Sequence, residues 1–148
     1  RYAEHEQELI AEFPGVRTAL EALHAAGIRM GVVTSKKHAL AAQTLELLDY
    51  ARFMEVLIGE EDSPRHKPHP DPLWQAATQL GVSPQYTAYV GDNPDDILAA
   101  RAAGMVAVGV GWCVRPCHEL QSAQPNLCID TPEALLTIVG CSAAVAVK

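Results

Sequence analysis

No stretch of this 148-residue chain approaches the ~20 consecutive apolar residues that a membrane-spanning helix needs, since apolar runs such as residues 28–33 and 105–110 are six long. An excess of positive charge is absent as well. With 18 acidic against 11 basic residues the net charge is −7, which opposes non-specific attraction to nucleic-acid backbones or anionic membranes. There is no low-complexity tail or linker, and the opening Arg1-Tyr2-Ala3-Glu4-His5-Glu6 lacks the apolar core of a signal peptide, so a cytoplasmic setting is expected. Paired cysteine spacing is missing too. Cys113, Cys117, Cys128 and Cys141 crowd into the last third without any Cys-x-x-Cys, and ordinary thiols are expected in place of a disulfide framework. The run Cys113-x-x-x-Cys117-His118 lacks a fourth ligand nearby, which weakens a zinc reading.

What the chain does have is the composition of a globular domain, 49% hydrophobic and 20% charged. At this length one domain can bury roughly two thirds of its unfolded surface. Residues 2–13 have helical character up to the break at Pro14-Gly15. Val16, Leu20, Leu23 and Ala26 recur at helical spacing, and Gly27 precedes a strand over 28–33. A helix over 36–48, with Leu40, Thr44, Leu47 and Leu48 on one side, leads to a strand over 53–58. Residues 59–72, rich in Pro, Asp, His and Ser, read as a loop. Helices then follow over 73–80 and 94–103, with strands over 87–90 and 105–110; a short helix near 116–122, a strand over 127–129 and a helix over 132–139 complete the pattern. Helices alternating with short apolar runs predict an α/β fold, a Rossmann-like parallel sheet with helices on both faces. Ligands in such sheets bind beyond the carboxyl ends of the strands.

Three groups of polar residues fall at those ends or beside them. Thr34 and Ser35 stand where a strand gives way to a helix, placed either to bind a phosphate or to cap the helix. Lys67 lies among prolines 68, 70 and 72, which stiffen the loop and aim an ammonium that would otherwise be solvated; His66 and His69 beside it read as exposed loop residues more readily than as a metal pair. Asp92 follows the strand over 87–90, a position suited to a hard cation such as Mg²⁺. Asn93, Pro94, Asp95 and Asp96 have a competent structural reading as the first turn of a helix, Asn93 being either its cap or a further metal ligand.

Taken together these residues resemble the haloacid dehalogenase (HAD) phosphohydrolase superfamily. Val32-Val33-Thr34 looks like its second motif, Lys67-Pro68 its third and Gly91-Asp92-x-x-x-Asp96 its fourth, with separations of 33 residues from 34 to 67 and 25 from 67 to 92. Within it, Lys67-Pro68-His69-Pro70-Asp71-Pro72 and Val90-Gly91-Asp92 look most like phosphoglycolate phosphatases and related pyrophosphatases. The resemblance implies a Mg²⁺-dependent phosphatase of small phosphorylated metabolites working through an aspartyl-phosphate. Thr34 and Ser35 would bind the phosphoryl group, Lys67 would stabilise its charge, Asp92 would ligate Mg²⁺ directly, and Asp96 would act in the metal's outer shell or hold Lys67.

The family's Asp-x-Asp motif, which carries the nucleophile and the acid/base, occurs nowhere in these residues. The resemblance therefore implies a chain without its first strand and most of its helical cap, with residues 1–13 as the cap's remnant and 14–148 as the core. A non-catalytic phosphate- or metal-binding module is the alternative. The missing strand would leave the chain poorly stable or rearranged, with two apolar strand edges open, and the apolar tail at 143–147 is expected to fray more readily than to fill the gap.

Overall fold

Val16, Ala19, Leu20 and Leu23, spaced for one helical face, turn inward together on α1 (Val16–Ala25). The computed structural model describes residues 13–112, 116–138 and 144–147, so the expected cap remnant lies outside the described residues except for Phe13. Beyond α1 come β1 (Arg29–Val33), α2 (His38–Leu47), β2 (Val56–Ile58), α3 (Asp71–Leu80), β3 (Thr87–Gly91), α4 (Pro94–Ala103), β4 (Val106–Val110), β5 (Leu127–Ile129) and β6 (Ala144–Val147). Strands β2 to β5 are shorter than or close to their expected spans. The helices expected near 116–122 and 132–139 are 3-10 segments, Cys117–Ala123 and Pro132–Ile138, and further 3-10 turns cover Ala51–Phe53 and Glu60–Asp62.

The six strands form one sheet in the order β2-β1-β6-β3-β4-β5, and every pairing is parallel. Because side chains alternate along a strand, the sheet has two packed faces. Met30, Val32, Ala88, Val90, Val108 and Val110 meet α1 and Pro132–Ile138 on one; Val33, Tyr89 and Ala107 meet α3 and α4 on the other. The predicted α/β architecture is the observed one.

Three expectations are corrected. The apolar tail does not fray: Ala144–Val147 runs as β6 in the centre of the sheet, paired to β1 and β3 along its length and wholly buried. Val145 and Val147 join one core and Ala144 and Ala146 the other, so burial on two faces and hydrogen bonding on two edges outweigh the entropy of a free end. The two edges expected to lie open are thus covered, and the sheet's own edges are the three-residue strands β2 and β5. On α2 the expected apolar side is largely outward: Ala41 and Leu45 are buried, whereas Leu40 and Leu47 are exposed. A leucine-rich helix offers more than one apolar face, and packing selects the one with the small Ala41.

Cys117 and Cys128, expected as thiols, are joined by a disulfide across the 3-10 segment and β5; Cys113 and Cys141 lie outside the described residues. Their Cα atoms stand 5.9 Å apart, within the reach of a bridge. Closing a loop of 11 residues stabilises a fold by about 3 kcal/mol in the chain-entropy account. Guanidinium unfolding with and without reductant should differ by about that amount, and curves that coincide within about 0.5 kcal/mol would show the bridge to be energetically idle.

Candidate functional site at the carboxyl edge of the sheet

Since every strand runs the same way, the segments after β1, β2 and β3 emerge on one edge, bringing Thr34, Gly59 and Asp92 to it. A cleft there is lined by Thr34, Ser35, Gly59, Ser63, His66 and Lys67. Residues from the first two sequence groups, more than 30 positions apart, therefore share one wall.

The Thr34 loop is shaped by hydrogen bonds, not by helix capping. Thr34 N–H donates to the Ile58 carbonyl at 2.9 Å, extending the β1–β2 ladder, and Thr34 Oγ1 accepts from Lys36 N–H at 3.2 Å. Helix α2 begins only at His38, whose N–H is taken by Glu61 Oε1 at 3.0 Å, so neither Thr34 nor Ser35 caps it. The acidic turn after β2 supplies that cap from across the cleft. Asp62 accepts from Gly59 N–H at 2.7 Å and pairs with the His38 ring, and these two contacts, the backbone donor first, hold its carboxyl below the ordinary aspartate range. Glu61 is likewise lowered, chiefly by the His38 N–H. A side chain on Gly59 would place its Cβ 2.6 Å from His38 N and Cα, so only glycine lets the turn close against the helix.

Lys67 is not the solvated loop lysine that its sequence context also allowed. Its side chain is 7% exposed, and its amine donates to Asp96 Oδ1 at 2.7 Å and to the Tyr89 hydroxyl at 2.9 Å. The loop that carries it is tied down at several points. Ser63 Oγ donates to the Arg65 carbonyl, His66 Nε2 meets the Glu60 carbonyl, and Arg65 pairs with Asp71, whose carboxyl is lowered mainly by that guanidinium. His66 and His69 hold backbone geometry here, and among the described residues no three His, Cys, Asp or Glu side chains are grouped to hold a metal.

Asp92 and Asp96 are both 1% exposed. Asp96 Oδ2 accepts the N–H groups of Asp92 and Asn93 at 3.1 and 3.2 Å while Oδ1 faces Lys67, so both oxygens are committed. Asn93 Oδ1 accepts from Asp95 N–H at 2.9 Å, making Asn93 the cap of α4 in a reciprocal capping box with Asp96. Gly91 is required at the strand's end because a Cβ there would collide with the Asp96 carboxylate. Asp92, directly after β3, is a buried carboxylate, a group of the hardness Mg²⁺ prefers. Two participants escaped the sequence reading. Tyr89 looked like one more apolar strand residue, though a buried tyrosine hydroxyl usually has a partner; the Glu61 cap carries no sequence signal, because it reaches 23 positions along the chain.

Residues 1–110 match the model of the haloacid dehalogenase-like hydrolase family. Over 139 residues the chain is 38% identical to proteins named phosphoglycolate phosphatase from Escherichia coli and Salmonella typhimurium, covering 94% of this chain and 55% of each relative. Among solved structures, a HAD phosphatase from Thermococcus onnurineus superimposes with a TM-score of 0.76 at 26% identity, covering 88% of this chain and 59% of that one. The chain thus spans little more than half the length of the curated relatives it matches.

Proposed function

Since the chain belongs to the haloacid dehalogenase-like hydrolase family, we propose that its carboxyl-edge cleft holds the phosphoryl group of a small phosphorylated metabolite, of the phosphoglycolate kind, within a Mg²⁺-dependent phosphatase. The observation that carries this reading is the buried Lys67 amine, anchored by Asp96 and lining the same cleft as Thr34 and Ser35. A phosphoryl group carries up to two negative charges, and a cation with hydroxyl donors around one small cavity is the arrangement such a group needs. Thr34 and Ser35 donate to its oxygens, and Lys67 neutralises them. Asp96 orients Lys67 and shapes the Asp92 loop, while Asn93 serves through its cap. Asp92 suits Mg²⁺, which takes few protein ligands and, when bound, would neutralise charge on the phosphoryl oxygens.

In this reading hydrolysis passes through an aspartyl-phosphate, for which these residues offer no Asp-x-Asp. Thr34, Lys67 and Asp92 bind and neutralise; none replaces a carboxylate nucleophile. In the same reading residues 1–13 are the remnant of a helical cap. The same proposal places the chain in the cytoplasm.

The 148-residue chain is therefore expected to bind inorganic phosphate in the presence of Mg²⁺ without turning over a generic phosphomonoester. In calorimetric titration Thr34→Val should weaken phosphate by about tenfold, the worth of one hydrogen bond to a charged group, and Asp92→Ala should remove the Mg²⁺ dependence. Binding indifferent to both substitutions would reject the site, and metal-dependent turnover abolished by Asp92→Ala would reject the claim about the nucleophile.

A further inference from the structure

Tyr89 is fully buried in the middle of β3, yet its hydroxyl is satisfied at a distance. It donates to the Val33 carbonyl at 2.8 Å and accepts from Lys67 Nζ at 2.9 Å. Val33 belongs to β1, and β6 lies between β1 and β3, so the ring must cross a whole strand to reach it. The row it crosses is nearly bare. Level with Tyr89 on β6 is Ala146, and level with Ala146 on β1 is Gly31. Ala144 and Ala146 pack in the same cluster as Tyr89, whereas the valines of β6 face the opposite side.

We propose that Tyr89 is a positioning residue for Lys67, an inference that rests on the phosphate-binding reading of the cleft. Asp96 alone gives the amine one anchor and draws it toward the start of α4. The tyrosine hydroxyl adds a second anchor and ties it to the carbonyl of the residue directly before Thr34. Two fixed points set the separation between the cation and the threonine hydroxyl that are to grip the same phosphoryl group. Phenylalanine would fill the same space without supplying that second anchor.

The test is a double-mutant cycle on the 148-residue chain, with inorganic phosphate and Mg²⁺ as the probe. Tyr89→Phe should weaken phosphate by about tenfold when Lys67 is present and by less than about twofold in a Lys67→Met background. Equal losses in both backgrounds would overturn the proposal, because a packing role does not depend on the amine. A second readout, the ¹⁵N and ¹³C resonances of the Lys67 side chain in the ligand-free protein, should move in Tyr89→Phe. If the unsubstituted chain takes up no phosphate, the functional reading of the cleft fails while this resonance still decides the role of Tyr89. Moved, it upholds the anchoring of Lys67; unmoved, it ends the proposal. The same readout decides alone should Lys67→Met not fold.

Discussion

Replacing Asp96 with alanine is expected to cost the folded chain about 4 kcal/mol and to abolish phosphate binding in the same step. The size of the effect follows from what the carboxylate holds. One oxygen neutralises Lys67, which is only 7% exposed, and the other accepts two backbone N–H groups at the turn that presents Asp92. Removing it leaves a buried ammonium without its counter-charge and two N–H groups without their acceptor, and such losses are not additive savings but uncompensated desolvation. Screening offers little relief, because Asp96 itself is 1% exposed. In a chain of this size about 4 kcal/mol corresponds to a fall in melting temperature of roughly 10 °C or more. Lys67→Met should cost somewhat less, about 3 kcal/mol, since Asp96 keeps its two backbone donors. The double replacement Lys67→Met with Asp96→Asn should recover much of the loss, because it removes both charges together. Calorimetric melts of the four proteins decide the matter. An Asp96→Ala protein within about 1 kcal/mol of the unsubstituted one would mean that the pair is not buried as described.

The α/β pattern was legible because strands covered on both faces read as apolar runs, and β1, β3 and β4 are such runs, with helices before and between them punctuated by Gly15, Gly27, Gly81 and Gly104 at positive φ. The placement of Thr34, Asp92 and Asp96 was legible for a related reason: polar residues at the ends of apolar runs must sit at the sheet's carboxyl edge once the strands are parallel. What the chain's text hides are choices made between distant segments. Whether Ala144–Val147 frays or inserts depends on a space between β1 and β3 that no local pattern encodes. The pairing of Cys117 with Cys128 and the capping of α2 by Glu61 are likewise settled across 11 and 23 positions. Tyr89 belongs to the same class, because its partner Val33 is 56 positions away.

The central strand sets up the second large effect. Val145→Asp is expected to abolish cooperative unfolding altogether, whereas Val145→Ala should only lower stability, by about 2 kcal/mol. Val145 is fully buried, level with Met30 on β1 and Ala88 on β3, in the apolar core that also holds Leu20 and Leu23 of α1. Burying that charge unpaired costs more than the roughly 5–15 kcal/mol by which domains of this kind are stable, so the strand leaves the sheet sooner than it admits the charge. Its departure strips the ladder from β1 and β3 at once, since β6 is the partner of both, and exposes two apolar edges to other chains. Val145→Asp should therefore run as aggregate in size exclusion and show no sharp calorimetric peak. The same logic separates the two faces of β6. Val145 serves the core alone, but Ala146 lies level with Tyr89 under the path to Val33 and Lys67, so loss of β6 must loosen the cleft along with the sheet. A Val145→Asp protein that stays monomeric and melts sharply would show that β6 is dispensable, and the crossing of Tyr89 over it would then no longer explain where Lys67 is held.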